Sequence, residues 1–379
     1  MNKLSAFLKK EPMLTVSLAV AIISLFITPP SKELLSSIDW HTLATLFMLL
    51  SVLEGFKTHN IFAPIIRLTS GISSMRRLTV FFVYSVFFSS MFVTNDVSLI
   101  IFVPLTIILF RAGQKEKYII PVLTLENIAA IRGSLLMPFG SPQNLYLFTR
   151  SGIPVQDFLL TMLPLWIGSA VLLYIFILFL YRKNLGERIE SEKVEDEKKS
   201  DPKKRAVHVI LFIAIIASIV TRTNLWPYLA GAVFVLLLIF DPKILLKTDY
   251  VLLLTFLCFF IFSSSICSNP AIAGFLSRNV TGNEYWWSIL LSQVISNVPA
   301  SIVLWPFTKN LRALLYGLDS AGLCSIIGSL ASVINLRIYV RSYPGKTLAF
   351  IRTFQIISLI FFAIIVIPQY LLCKYYSGS

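Results

Sequence analysis

Thr94, Asn95 and Asp96 stand in a row within the apolar stretch "MFVTNDVSLIIFVP", and "ISNVPASIVLWP" repeats the pattern 202 positions later with Ser296, Asn297, Val298 and Pro299. Side-chain hydroxyl and amide oxygens, joined by carbonyls freed from a helix, form a ligand set for Na⁺. A half-helix N-terminus with free N–H groups suits an anion. Thr94, Asn95, Asp96, Ser296 and Asn297 are therefore candidate Na⁺ ligands. Two further polar breaks, at 137–144 with Gly140-Ser141 and at about 327–335 with Gly328-Ser329, interrupt apolar segments. Non-helical backbone survives at bilayer depth only when it is buried in protein or lines a cavity.

Asp96 breaks the correspondence, because its counterpart is Val298. A carboxylate at that depth costs about 2.5–3.5 kcal/mol and needs a partner or a purpose. Two readings stand: a coupling group that binds Na⁺ or carries a proton, and a helix cap at the turn. Arg132 has several destinations, namely Asp96, Glu126 or an anionic substrate. Glu126 and Arg132, six apart, do not share a helix face. Asp319, just before the last break, is a candidate for lining the site. His41, His59 and His208 fall near the ends of apolar runs and read as interfacial, not as a metal set. The four cysteines have no metal-like spacing.

These residues need a membrane bundle to hold them. The chain has 379 residues, 56% hydrophobic and 14% charged, with mean hydropathy +0.79, against about 25% charged in a soluble domain. Apolar runs such as Ala206–Val220, Pro227–Phe240 and Thr347–Leu372 approach the length that spans about 30 Å of hydrocarbon. The net charge of +14 sits in short loops, which argues for a lipid bilayer as partner and against nucleic acid. The apolar N-terminal run, with no small-x-small cleavage site, reads as a first span.

The expected fold is an all-α polytopic membrane protein with about nine full spans and two hairpins. Residues 1–181 form a first repeat, with a re-entrant hairpin at about 78–111 and a broken helix at about 118–150. A charged linker occupies 182–205, and an amphipathic piece at 57–77 lies along the interface. Residues 206–379 hold an extra span and a second repeat, with a hairpin at about 285–310 and a broken helix at about 313–341. Asp39-Trp40 and Asp249-Tyr250 open matching spans. With the N-terminus cytoplasmic and each hairpin returning to its side of entry, 24 of the 33 lysines and arginines lie inside, as the positive-inside rule requires. The repeats are then inverted, and the C-terminus lies outside. Paired interrupted segments in two halves point to a transporter binding site.

Through "TNDVSLIIFVP", "MPFGSPQNLYLF", "SNVPA" and "GLDSAGLCSIIGSLASVINLRIYV", the chain resembles the ion transporter superfamily, in particular ArsB/NhaD-type permeases and their citrate transporter relatives. The resemblance implies a moving transport domain on a scaffold, commonly in a homodimer. It implies sodium and substrate held by Thr94, Asn95, Asp96, Gly140, Ser141, Pro142 and Asn144, and by Ser296, Asn297, Val298, Pro299, Gly328, Ser329, Ala331 and Ser332. Dicarboxylate members resemble Ser-Asn-Thr at both tips, whereas here the tips are Thr-Asn-Asp and Ser-Asn-Val.

The sequence carries no P-loop, Gly-x-Ser-x-Gly or His-Glu-x-x-His signature. The expectation is a secondary transporter, not an enzyme, in the cell (inner) membrane. It moves a small anion by alternating access, with Na⁺ or H⁺ as coupling ion and no other cofactor. The alternatives are Na⁺/H⁺ antiport and arsenite efflux centred on Asp96. A lipid-active intramembrane enzyme would need a nucleophile or metal set within the membrane. A channel is disfavoured by two opposed hairpins.

Overall fold

A computed structural model describes residues 12–27, 29, 34, 36, 38–59, 61, 72–184, 188, 201–221 and 224–375. Most of the interfacial piece expected at 57–77 and of the linker expected at 182–205 lies outside them. The described residues are all-helical apart from one isolated bridge, Ser74 to Arg188.

The first half contains α1 (Pro12–Ile27), α2 (Trp40–Thr58), α3 (Met75–Val93), α4 (Asn95–Ala112), α5 (Ile119–Ser134), α6 (Pro142–Ser151) and α7 (Val155–Leu180). The second contains α8 (Pro202–Thr221), α9 (Trp226–Phe240), α10 (Pro242–Lys247), α11 (Tyr250–Ser268), α12 (Pro270–Val280), α13 (Glu284–Ile295), α14 (Asn297–Leu304), α15 (Leu311–Ala321), α16 (Leu330–Ser342) and α17 (Thr347–Tyr375). Local chemistry sets many of the ends. Pro142 opens α6, where its missing N–H costs nothing. Gly152 closes α6 in the left-handed region, at φ +71°.

Asp39 caps α2 by accepting the Thr42 N–H at 3.0 Å, and Asp249 accepts the Leu252 N–H at 2.9 Å at the start of α11. Asp39 also pairs with Arg150 at 2.9 Å. We expect Asp39→Ala to lower stability by about 1 kcal/mol, read as a fall in the apparent Tm in detergent. Asp249→Ala, which loses only the cap, should cost no more.

Among the described residues, five helices are long and apolar enough to cross a bilayer, or six if the bent pair α11–α12 counts as one span. That is fewer than the nine full spans expected. Helices α1 and α9 are apolar but shorter than a full span, and spans inside a bundle need not be apolar. Helix α5 is buried from Val122 to Ser134, and its Glu126, Asn127 and Arg132 face other helices. By contrast α7 exposes Leu160, Ile167, Val171, Ile175 and Phe179, an apolar face of the kind that lipid covers.

The two hairpins differ in length. Helices α3 and α4 have 19 and 18 residues and each passes the span criterion alone, whereas α13 and α14 have 12 and 8 residues. Two full crossings and a shallow hairpin both return the chain to its side of entry. The loop-charge count is therefore the same for either.

The breaks are narrower than the sequence suggests, and one is displaced. Only Thr94 separates α3 from α4, and only Ser296 separates α13 from α14. Asp96, Val298 and Pro299 already lie in first helical turns. Residues 135–141 form the first break, so Asn144 is helical. The second occupies 322–329, not 327–335; Ala331, Ser332 and Asn335 belong to α16. Their small and polar character serves helix packing. Asn127 donates to Ser332 Oγ at 3.0 Å, and Asn335 donates to the Leu123 carbonyl at 2.7 Å.

Candidate functional site

The two tips share one backbone geometry. Thr94 has φ +72° and ψ +156°, and Ser296 has φ +70° and ψ +160°. That region is almost confined to glycine and costs on the order of 1–3 kcal/mol for other residues. Each tip docks on the break of its own half. The Asn95 N–H donates to the Gly140 carbonyl at 3.2 Å, and the Asn297 N–H donates to the Gly328 carbonyl at 3.3 Å. Both glycines are required by close approach. A Cβ on Gly140 would lie 2.1 Å from the Ser134 carbonyl oxygen, and one on Gly328 would lie 2.2 Å from that of Ala321.

The halves also interlock. Helix α4 packs on α16, and α14 packs on α6, so each hairpin meets the broken helix of the other half. A cavity of about 460 Å³ lies at the first tip. Thr94, Asp96, Ser141 and Pro142 line it, with Leu330 and Ile334 from α16. Glu54, Lys57, Lys247 and Asp249 supply its charged edge. Ser296 and Asn297 are buried elsewhere, at 1% and 2% exposure, and neither they nor Val298, Pro299, Gly328 or Ser329 line this cavity.

Asp96 does not act as a cap through a hydrogen bond. The N-cap of α4 is Thr94, which makes no side-chain cap bond, and the Asp96 N–H is taken by Asn95 Oδ1 at 2.9 Å. Asp96 Oδ1 is buried without a partner. The Oγ of Ser141 is in the same state. Both oxygens lie at helix N-termini, α4 for Asp96 and α6 for Ser141, where the dipole favours negative charge.

Arg132 reaches neither carboxylate proposed for it. Its Nε donates to Ser169 Oγ at 2.8 Å, and one terminal nitrogen donates to the Asp319 carbonyl at 3.4 Å. The other terminal nitrogen, NH2, is buried with no acceptor. Glu126 is instead bonded by Thr106. The Asp319 carboxylate does not line the cavity; it accepts from Gln143 Nε2 at 3.0 Å and Asn144 Nδ2 at 3.1 Å. The sequence reading had no place for Gln143, although an amide beside Asn144 at a helix start was a usable signal.

The histidines need a further correction. His41 stacks on Trp226, but His59 and His208 are brought together, with ring centroids 5.1 Å apart. Asp241, between α9 and α10, receives His59 at 2.5 Å and Lys204 at 3.4 Å. Burial acts to raise its pKa, but the His59 bond and the Lys204 charge outweigh it and hold the carboxyl below its ordinary value.

A family model described as a citrate transporter matches residues 6–328, which include both tips and the first break. The Escherichia coli (strain K12) protein named "Inner membrane protein YbiR" is 30% identical over 323 residues, covering 83% of this chain and 84% of that protein. An "Uncharacterized transporter" of Methanocaldococcus jannaschii is 27% identical over 327 residues, covering 86% and 88%.

Proposed function

The chain belongs to the citrate transporter family, and from that premise we propose that this membrane transporter carries a small carboxylate-type anion, coupled to Na⁺ or H⁺, by alternating access. The observation that carries the reading is the twinned tip. Thr94 and Ser296 share one strained backbone, and the Asn that follows each docks its N–H on a glycine carbonyl of its own half. Paired interrupted segments of this kind hold substrate and coupling ions in secondary transporters. The inverted repeats belong to this reading, as do the ion ligands Thr94, Asn95, Asp96, Ser296 and Asn297.

Asp96 is the coupling group. It lines the cavity of about 460 Å³, which suffices for a compound of citrate size beside an ion, and one of its oxygens is buried without a partner. Lys57 and Lys247 edge the cavity, and loop charge assigns both to the cytoplasm, so this conformation opens inward.

The test uses proteoliposomes loaded to impose a Na⁺ or proton gradient, with labelled citrate outside. Asp96→Asn should lose at least tenfold in gradient-driven accumulation while keeping citrate–citrate exchange, because exchange needs no net ion movement. Accumulation at the wild-type level in that variant would remove Asp96 from the mechanism.

A second reading rests on the acidic character of the cavity, where Glu54, Asp96 and Asp249 outnumber Lys57 and Lys247. It is Na⁺/H⁺ antiport through the same carboxylate. Added Na⁺ would then dissipate a preset pH gradient with no organic anion present.

A further inference from the structure

The cytoplasmic-loop end of the bundle holds a second polar cluster that plays no part in the proposed transport site. One ring nitrogen of His59, one of His208 and a carboxylate oxygen of Asp241 lie within 4.8 Å of one another. All three residues are buried, at 8%, 0% and 4% exposure. They come from three places in the chain: the C-terminal end of α2, the first turns of α8 and the corner between α9 and α10.

The His208 ring is oriented by the fold. Its Nδ1 bonds the Lys204 carbonyl at 2.8 Å, which makes Nδ1 the N–H and leaves the lone pair on Nε2. That Nε2 is buried with no partner. A backbone carbonyl on the far ring nitrogen is the arrangement that orients metal-binding histidines. Space for the ring is made by Gly55, where a Cβ would lie 2.1 Å from His208 Nε2.

We propose that His59, His208 and Asp241 form a binding site for a divalent first-row transition metal of the Zn²⁺ class, which fastens α2, α8 and the α9–α10 corner together. Two imidazoles and one carboxylate are a three-ligand zinc set with one position left for water. Mg²⁺ and Ca²⁺ seek six or more oxygens and find none of that here. Bond lengths of about 2.0–2.1 Å place tetrahedral ligand atoms about 3.3 Å apart. His59 and Asp241, now 2.5 Å apart, therefore separate by about 0.8 Å when the ion enters. Lys204 is the competitor, because its ammonium holds the other Asp241 oxygen at 3.4 Å.

The test is a Co²⁺ titration of the full-length, tag-free protein in detergent, after treatment with a chelator. One equivalent of Co²⁺ should give visible ligand-field bands, and Zn²⁺ should abolish them. Asp241→Asn and His208→Gln should each weaken Co²⁺ binding on the order of 100-fold. Lys204→Met should strengthen it, which a cluster held only by hydrogen bonds and ion pairs would not show. Absence of bands in the wild type overturns the site. So does binding that persists unchanged in Asp241→Asn. The wild-type titration stands even if a variant fails to fold, and none of these readouts depends on transport.

Discussion

Alanine at Gly140 is expected to reduce transport at least tenfold and to lower stability by about 1–3 kcal/mol, as overpacking of a tight site does. The new Cβ would lie 2.1 Å from the Ser134 carbonyl oxygen, and a backbone atom cannot swing aside as a side-chain end can. The break must shift, and it takes along the Gly140 carbonyl that receives the Asn95 N–H. The tip then loses its dock and its strained Thr94 conformation loses support. Gly328→Ala should behave alike, with its Cβ 2.2 Å from the Ala321 carbonyl oxygen. Gly168 and Gly231 are the controls, since a Cβ on either meets nothing within 4 Å. Alanine there should be neutral or stabilising by up to about 1 kcal/mol. Uptake into proteoliposomes and apparent Tm check all four. Wild-type uptake in both Gly140→Ala and Gly328→Ala would mean that the docked tips are not part of the transport cycle.

Removal of the Asp319 carboxylate should be the most destabilising single change. The residue is 1% exposed, and it satisfies Gln143 and Asn144 across 176 and 175 positions of sequence. Asp319→Ala leaves two buried amides without acceptors and removes negative charge near Arg132, which is itself fully buried. Losing one member of such a buried set costs about 3–5 kcal/mol. Asp319→Asn keeps the shape and one acceptor, so about 1–3 kcal/mol is expected. Half-life at a fixed elevated temperature in detergent measures both variants, because membrane-protein unfolding is commonly irreversible. Wild-type half-life in Asp319→Asn beside a large loss in Asp319→Ala would mean that volume, not the acceptor pair, is what matters at this position.

What could be read along the chain was whatever depends on neighbours in sequence. Apolar length against bilayer thickness identifies a membrane bundle. The positions of Thr94, Ser296 and the Gly-Ser pairs mark where helices stop, because a helix ends through its own residues within one turn. Asp39 and Asp249 were legible as openers for the same reason: a cap acts over three positions.

Breaks were less sharply legible. Ser332 and Asn335 look like break residues but lie in α16, since a polar side chain in an apolar run can serve helix packing as well as chain reversal. Side-chain partners were not legible at all. Arg132 turns from Asp96 and Glu126 to Ser169 and the Asp319 carbonyl. His59 meets Asp241 across 182 positions. Those pairings depend on how α5, α7 and α15, and α2 and the α9–α10 corner, lie against one another, a three-dimensional arrangement that no local spacing encodes. The sequence alone therefore determined that each half carries two interruptions, but not the residues at which each begins and ends. Only the tertiary structure decided which buried polar groups satisfy one another and which, such as Asp96 Oδ1 and His208 Nε2, are left without a hydrogen-bond partner.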